Sequence, residues 1–105
     1  MAGLLLALCL GKMQNKITKE KLEKYFKITN QALEKVKKSI NKEKRAEAHE
    51  IIKMVENYLS DAKHFYSKND FVNAFAALNY SHGWLDSGAR LGIFDVNDNK
   101  LFTIR

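Results

Sequence analysis

Three stretches of this chain place apolar residues at helical spacing. From Thr18 onward, Leu22, Tyr25, Phe26, Leu33, Val36 and Ile40 recur at helical spacing, with Thr29 filling one gap. At about 100° per residue they share one stripe, which predicts an amphipathic helix over about 18–41 with Thr18 as its N-cap. A polar break follows at Asn41 to Lys44. Ala48, Ile52, Val55, Leu59, Ala62 and Tyr66 form the next stripe, widened by Ile51, Met54, Tyr58 and Phe65, and predict a second helix over about 44–67. The third stretch has both ends marked. Asp70, or Asn69 before it, can cap the first free N–H groups, and Gly92 can close the last turn in a left-handed conformation with Ile93 and Phe94 as its apolar contact. A helix over about 70–91 results.

The apolar surface of that third helix is too wide for one neighbour. Phe71, Ala74, Phe75, Leu78, Leu85 and Ala89 make a core stripe, while Ala77, Tyr80, Trp84 and Leu91 form a second sector rotated by roughly a third of a turn. Two flanking helices can cover both sectors, and the Ser67-Lys68-Asn69 connection is short enough for an antiparallel hairpin. The expected fold is all-α, an antiparallel three-helix bundle with the third helix as its central member. Burial is the preferred reading of Tyr80 and Trp84, because large aromatics are recruited to small cores. If that sector is bare, Tyr80, Trp84 and Leu91 become an interaction patch.

Outside the helices the pattern is weaker. Leu4 to Leu10 is almost wholly apolar, but a bilayer span needs about 20 apolar residues, and a secretory signal needs a leading basic segment and small residues before its cut. We therefore expect residues 1–12 to be a non-core apolar tail, an upstream-start artefact or a loose end, and residues 13–105 to form one domain. No membrane association is expected. At the other end, Asp95 to Lys100 reads as a turn, and Leu101-Phe102-Thr103-Ile104 either covers the bundle end or frays as a short tail. The lone Cys9 cannot form an internal disulfide, so a cytoplasmic setting is the default.

Charge changes the picture in one respect. Residues 1–45 hold 12 Lys or Arg against 4 Asp or Glu, net +8, whereas residues 46–105 hold 6 against 8, net −2, consistent with the whole-chain value of +6. A basic first half hints at an anionic partner. Yet Glu20 with Lys24, Glu23 with Lys27, and Glu34 with Lys38 sit four apart on the first helix, each pair worth only ~0.2–0.5 kcal/mol. A surface that dilutes its bases with regular acids reads as a solvated face before it reads as a nucleic-acid groove.

Candidate chemistry is sparse. His82, Asp86 and Arg90 recur every four residues with Asn79 beside them, a polar ridge at the edge of the core stripe. His and Asp so placed can share a proton or a metal ion, but one helix supplies half a site, and His49 and His64 point away from the second helix's stripe. Structural hydrogen bonding, with Asp86 fixing His82 or pairing with Arg90, is the preferred reading. Ser81 cannot use His82 as a base across adjacent, diverging positions. We expect no catalytic constellation, no metal and no cofactor. Gly83 costs ~1 kcal/mol in mid-helix, which predicts close approach of another backbone there, with Gly88 as a second contact.

The residues Tyr66-x-x-x-Asp70-Phe71-x-Asn73-Ala74-x-Ala76 and Tyr80-Ser81-His82-Gly83-Trp84-Leu85-Asp86-x-Gly88-x-Arg90-Leu91-Gly92 resemble the small archaeal family catalogued as domain of unknown function 357. The likeness covers roughly Thr18 to Phe94, with Ser-His-Gly-Trp-Leu-Asp as its specific part, and it implies a three-helix bundle. It implies no activity and no catalytic residues. The turn at Asn69-Asp70-Phe71 is also similar to that of a tetratricopeptide hairpin, although a solenoid needs at least three repeats. Small helical nucleases that place an Arg a few residues before a His are not matched, since no Arg precedes His82 at that spacing.

The leading expectation for function is a non-enzymatic helical module that binds a protein partner, or a second copy of itself, through the third helix. A nucleic-acid-associated protein using the basic first helix is the alternative, and a metal or acid-base site around His82 and Asp86 comes last.

Overall fold

The computed structural model describes residues 16–102. Helix α1 runs Lys19–Lys37, α2 Arg45–Ser67 and α3 Phe71–Arg90, with a single 3-10 turn at Lys42–Lys44 before α2. The fold is an all-α three-helix bundle, as the periodicity predicts. Helix α3 packs along the length of α2 and, on its other flank, against α1, while α1 and α2 barely meet. The apolar run Leu4 to Leu10 and Cys9 lie outside the described residues.

Local signals set most helix ends. Thr18 is extended and its Oγ1 accepts from the Lys21 N–H at 3.2 Å, as an N-cap should. Asp70 does the same for α3, accepting from Asn73 N at 3.3 Å. At the end of α2, Asn69 has φ 60°. Its N–H bonds to Tyr66 O at 3.0 Å while Asp70 N bonds to Phe65 O at 2.9 Å, the paired closure of a Schellman motif. Asp70 thus ends one helix and caps the next, which makes the hairpin so short. Gly92, φ 74°, repeats the device after α3, with Gly92 N to Ala89 O at 3.2 Å and Ile93 N to Gly88 O at 2.9 Å.

The end of α1 differs from the expectation of a helix to Asn41. The helix stops at Lys37, and Ser39 to Asn41 pair instead with the strand-like exit from α3. Ile40 and Phe94 form an antiparallel bridge, flanked by Asn41 N to Ile93 O at 3.0 Å and Asp95 N to Ser39 O at 2.7 Å. These bonds join residues more than fifty apart, so they leave no trace in local spacing. Asn41 then works three ways at once. Besides that backbone bond, its Oδ1 accepts from Glu43 N and its Nδ2 donates to Gly92 O, each at 3.0 Å.

The core contains Leu22, Val36, Val55, Leu78 and Leu85 from the helices, but its largest sealed side chains are Phe94 and Phe102. Each ring fully removed from water is worth ~1.5–3 kcal/mol. The segment after α3 is therefore no tail as far as Phe102. It folds back over the bundle, held by an Asp98 turn in which Lys100 N donates to Oδ1 at 2.9 Å and Lys35 Nζ donates to Oδ2 at 3.0 Å. The Lys35 ammonium, followed by the Lys100 N–H, holds the Asp98 carboxyl below its ordinary value. Thr103 and Ile104 lie outside the described residues.

The acids of α1 reach further than the expected pairs with bases four residues on. Glu34 meets Lys37 at 3.5 Å, Lys37 bridges on to Glu56 of α2 at 3.0 Å, and Glu23 accepts the Tyr66 hydroxyl. That bond to Glu23 pushes the Tyr66 phenol up to about 12. With the Phe26 and Tyr66 rings edge to face at 5.8 Å, these contacts bridge the gap between α1 and α2.

Candidate functional site: the outward face of helix three

Because α2 and α1 flank α3 on two sides, one sector of α3 remains in solvent. Its exposed positions are Val72, Asn73, Ala76, Asn79, Tyr80, Gly83, Ser87 and Arg90, followed by Leu91 at the cap. Arg90 is the one charge among them. The exposed surfaces of α1 and α2 are, by contrast, built largely from Lys, Arg, Glu and Asp. Val72, Tyr80 and Leu91 are 69, 58 and 68 % exposed, large apolar surfaces on one side of one helix.

The second sector is thus split, which corrects the expectation that it would be covered. Ala77 and Trp84 pack partly against the core, whereas Tyr80 and Leu91 stay in water. Tyr80 leans on Tyr58 of α2, ring centroids 4.7 Å apart at 58°, so the exposed ring is held rather than loose. Trp84 is half-buried and so belongs to the patch only in part. Its indole Nε1 is shielded from solvent and has no hydrogen-bond partner among the described residues. Val72 is not legible from the periodicity, since it stands beside Phe71 at the first turn, where the core-facing position falls to its neighbour.

The polar ridge is not assembled as a site. Asn79 and Arg90 are exposed, Asp86 is half-buried, and His82 is 1 % exposed in the seam between α1 and α3. His82 Nε2 lies 2.9 Å from Leu101 O and Nδ1 lies 3.0 Å from Thr29 Oγ1. A carbonyl can only accept, so Nε2 carries the proton. Burial pushes His82 below its ordinary 6.5, against the opposing pull of the Asp86 carboxylate. The ring is therefore neutral near pH 7, and Nδ1 accepts the Thr29 hydroxyl proton. Asp86 Oδ1 stands 3.7 Å from Nε2, beyond hydrogen-bonding reach. The structure gives the fixing of His82 to Thr29 and the Leu101 carbonyl, not to Asp86. With both nitrogens engaged, His82 ties α1, α3 and the C-terminal segment together.

The remaining chemistry is dispersed. His49 and His64 are exposed on α2, away from His82. Among the described residues no group of three or more His, Cys, Asp or Glu could hold a metal ion. Ser81 is buried and donates to Val55 O at 3.3 Å, a link between α3 and α2. No described helix is long and apolar enough to cross a membrane.

The glycines divide differently from the expectation. At Gly88 a Cβ would meet Phe94 Cε2 at 2.4 Å, so the close approach is to a ring rather than a backbone. At Gly83, where approach of another backbone was expected, nothing lies within 4 Å of the position a Cβ would take. Among the described residues, therefore, none makes use of the missing side chain at Gly83.

The model of the family described as "Protein of unknown function (DUF357)" matches residues 24–94, from the first turns of α1 through the Gly92 closure and Phe94. The chain belongs to this family. The family match takes in all of α2 and α3, and it ends before Asp98, Leu101 and Phe102, which complete the core here. Comparison with curated proteins and with solved structures found no match.

Proposed function

We propose that this member of the family is a non-enzymatic helical interaction module whose contact surface is the outward face of α3. The observation that carries the reading is the combination of three large exposed apolar side chains with a single exposed charge along a whole helix. Surface helices in water normally turn charge outward, as α1 and α2 do here. An apolar side of one helix is what helix-on-helix recognition uses.

The competing readings have less support. Two lysines of the basic first helix are already engaged, Lys35 by Asp98 and Lys37 by Glu34 and Glu56, which reduces the charge left for phosphate. His82 is sealed between elements rather than open to a substrate or ion.

Site-specific photo-cross-linking tests the proposal. A photoreactive residue replacing Ser87 on α3 should give protein adducts in the native cell, self-adducts included. The same residue replacing exposed Lys53 on α2 should not. Equal adducts from both positions, or none from Ser87, would refute the assignment of the contact face.

A further inference from the structure

We infer that the partner of this face is a second copy of the chain, bound antiparallel, α3 to α3, about a two-fold axis passing beside the Gly83–Trp84 peptide. This rests on the reading of α3 as the contact face and adds the occupant and its register.

The first argument is steric. Gly83 is exposed, has open space around it, and sits in mid-helix, where it costs ~1 kcal/mol relative to Ala. Among the described residues nothing requires it. A helix approaching from outside does, because the absent side chain lets two backbones come closer than the usual ~8–10 Å between axes.

The second argument is the order of sizes along the face. Tyr80 and Ser87 stand equal distances on either side of the Gly83–Trp84 peptide, and so do Ala76 and Leu91. In an antiparallel pair centred there, Tyr80 of one copy lies at the height of Ser87 of the other, and Leu91 at the height of Ala76. Tyr80 and Leu91 thus each meet a small residue, the condition for interdigitation across a two-fold interface. One sequence supplies both the protrusions and the recesses.

The third argument is charge and extent. Two copies of a chain of net +6 repel on average, and the outward face of α3 carries a single exposed charge, Arg90. This face lets them meet without opposing like charges, since at ~1.5 Å per residue the two Arg90 positions fall about 20 Å apart along the helices. A contact limited to a 20-residue helix about 30 Å long is below the area of stable complexes, so the dimer is weak and forms at high concentration.

Sedimentation of the full chain should show monomer at micromolar concentration and dimer as it approaches about 1 mM. Gly83→Ala should weaken association at least about tenfold while raising the melting temperature of the dilute monomer, a pairing that a purely internal role for Gly83 does not produce. Register is tested by oxidation in a Cys9→Ser background. Gly83→Cys should form a disulfide with itself, because the two positions lie near the axis. Ala76→Cys should not, its copies being about 22 Å apart along the helices, yet it should form a mixed disulfide with Leu91→Cys. Wild-type chain that remains monomeric at about 1 mM, or self-linking of Ala76→Cys equal to that of Gly83→Cys, would overturn the inference. If the chain is monomeric but Ser87 still cross-links a different protein, the contact face stands and only its occupant is wrong.

Discussion

The two mid-helix glycines of α3 should respond to the same substitution with opposite signs. Alanine is favoured over glycine in a helix interior by ~1 kcal/mol, and at Gly83 no described residue beyond the helix's own neighbouring turns stands within 4 Å of the new methyl. Gly83→Ala should therefore stabilise the monomer by about 1 kcal/mol. At Gly88 the methyl would sit 2.4 and 2.6 Å from Phe94 Cε2 and Cδ2 and 3.4 Å from Ile51 Cδ1. Ordinary carbon contacts lie at ~3.5–4.0 Å, so the ring must move by about 1 Å. Phe94 is 1 % exposed and its backbone is pinned by the bridge to Ile40, which leaves the ring little freedom. Overpacking at the upper end of its usual range, about 3 kcal/mol, offset by the ~1 kcal/mol of helix preference, leaves a net loss of about 2 kcal/mol. Thermal melts followed by circular dichroism, at concentrations low enough to exclude association, should show Gly83→Ala raised by about 5 °C and Gly88→Ala lowered by about 10 °C. Combining Gly88→Ala with Phe94→Leu should give less than the sum of the two losses, because the smaller side chain relieves the clash. A raised melting temperature for Gly88→Ala, or strict additivity in the double variant, would refute the account of Gly88 as a socket for Phe94.

Other expectations follow from buried groups. His82 has its folded-state value pushed below 6.5, so the unfolded chain binds the proton more readily; stability should be flat above that pH and fall as pH drops below it. Urea midpoints taken across this window should lose that dependence in His82→Gln, which leaves His49 and His64 in place. Phe102→Ala should cost ~3–5 kcal/mol by chemical denaturation, as a core phenylalanine does, although the residue lies beyond the family match. Asn69→Ala should lose about 1 kcal/mol because φ is 60° there, whereas Asn69→Gly should be neutral or better. In a spectrophotometric titration Tyr66 should ionise near 12, and Glu23→Gln should lower that value.

What the sequence made legible is what short-range physics decides. Thr18, Asp70 and Gly92 close helix ends through bonds spanning three to five residues, so their roles could be read from neighbours. The apolar stripes of α1, α2 and α3 were legible because burial repeats with the helical period. The end of α1 was not, since Ser39 to Asn41 are held by Ile93 and Asp95 from the far end of the chain. Local spacing points His82 to its neighbour Asp86 for the same reason. Its true partners, Thr29 and Leu101, are brought together only by the tertiary fold. A signal was nevertheless present. Thr29 interrupts an apolar stripe on α1 and His82 sits at the edge of one on α3, and two polar residues at core positions of different helices satisfy each other more cheaply than either stays unpaired.

Gly83 and the scarcity of charge on α3 differ in what they demand. A helix flanked on two sides exposes only a narrow sector, and in a small protein of net +6 a narrow uncharged sector costs little in solubility. Tyr80 also gains from its contact with Tyr58, so its exposure is partly explained within the monomer. Among the described residues Gly83 has no such explanation. Its neighbours leave room for a side chain, its helix is weakened by lacking one, and substitution to Ala should strengthen the isolated fold. A residue that lowers the stability of its own fold without serving it fits a requirement met outside the monomer. Pairing of α3 with α3 is the arrangement in which that missing side chain and the neighbouring large ones answer each other.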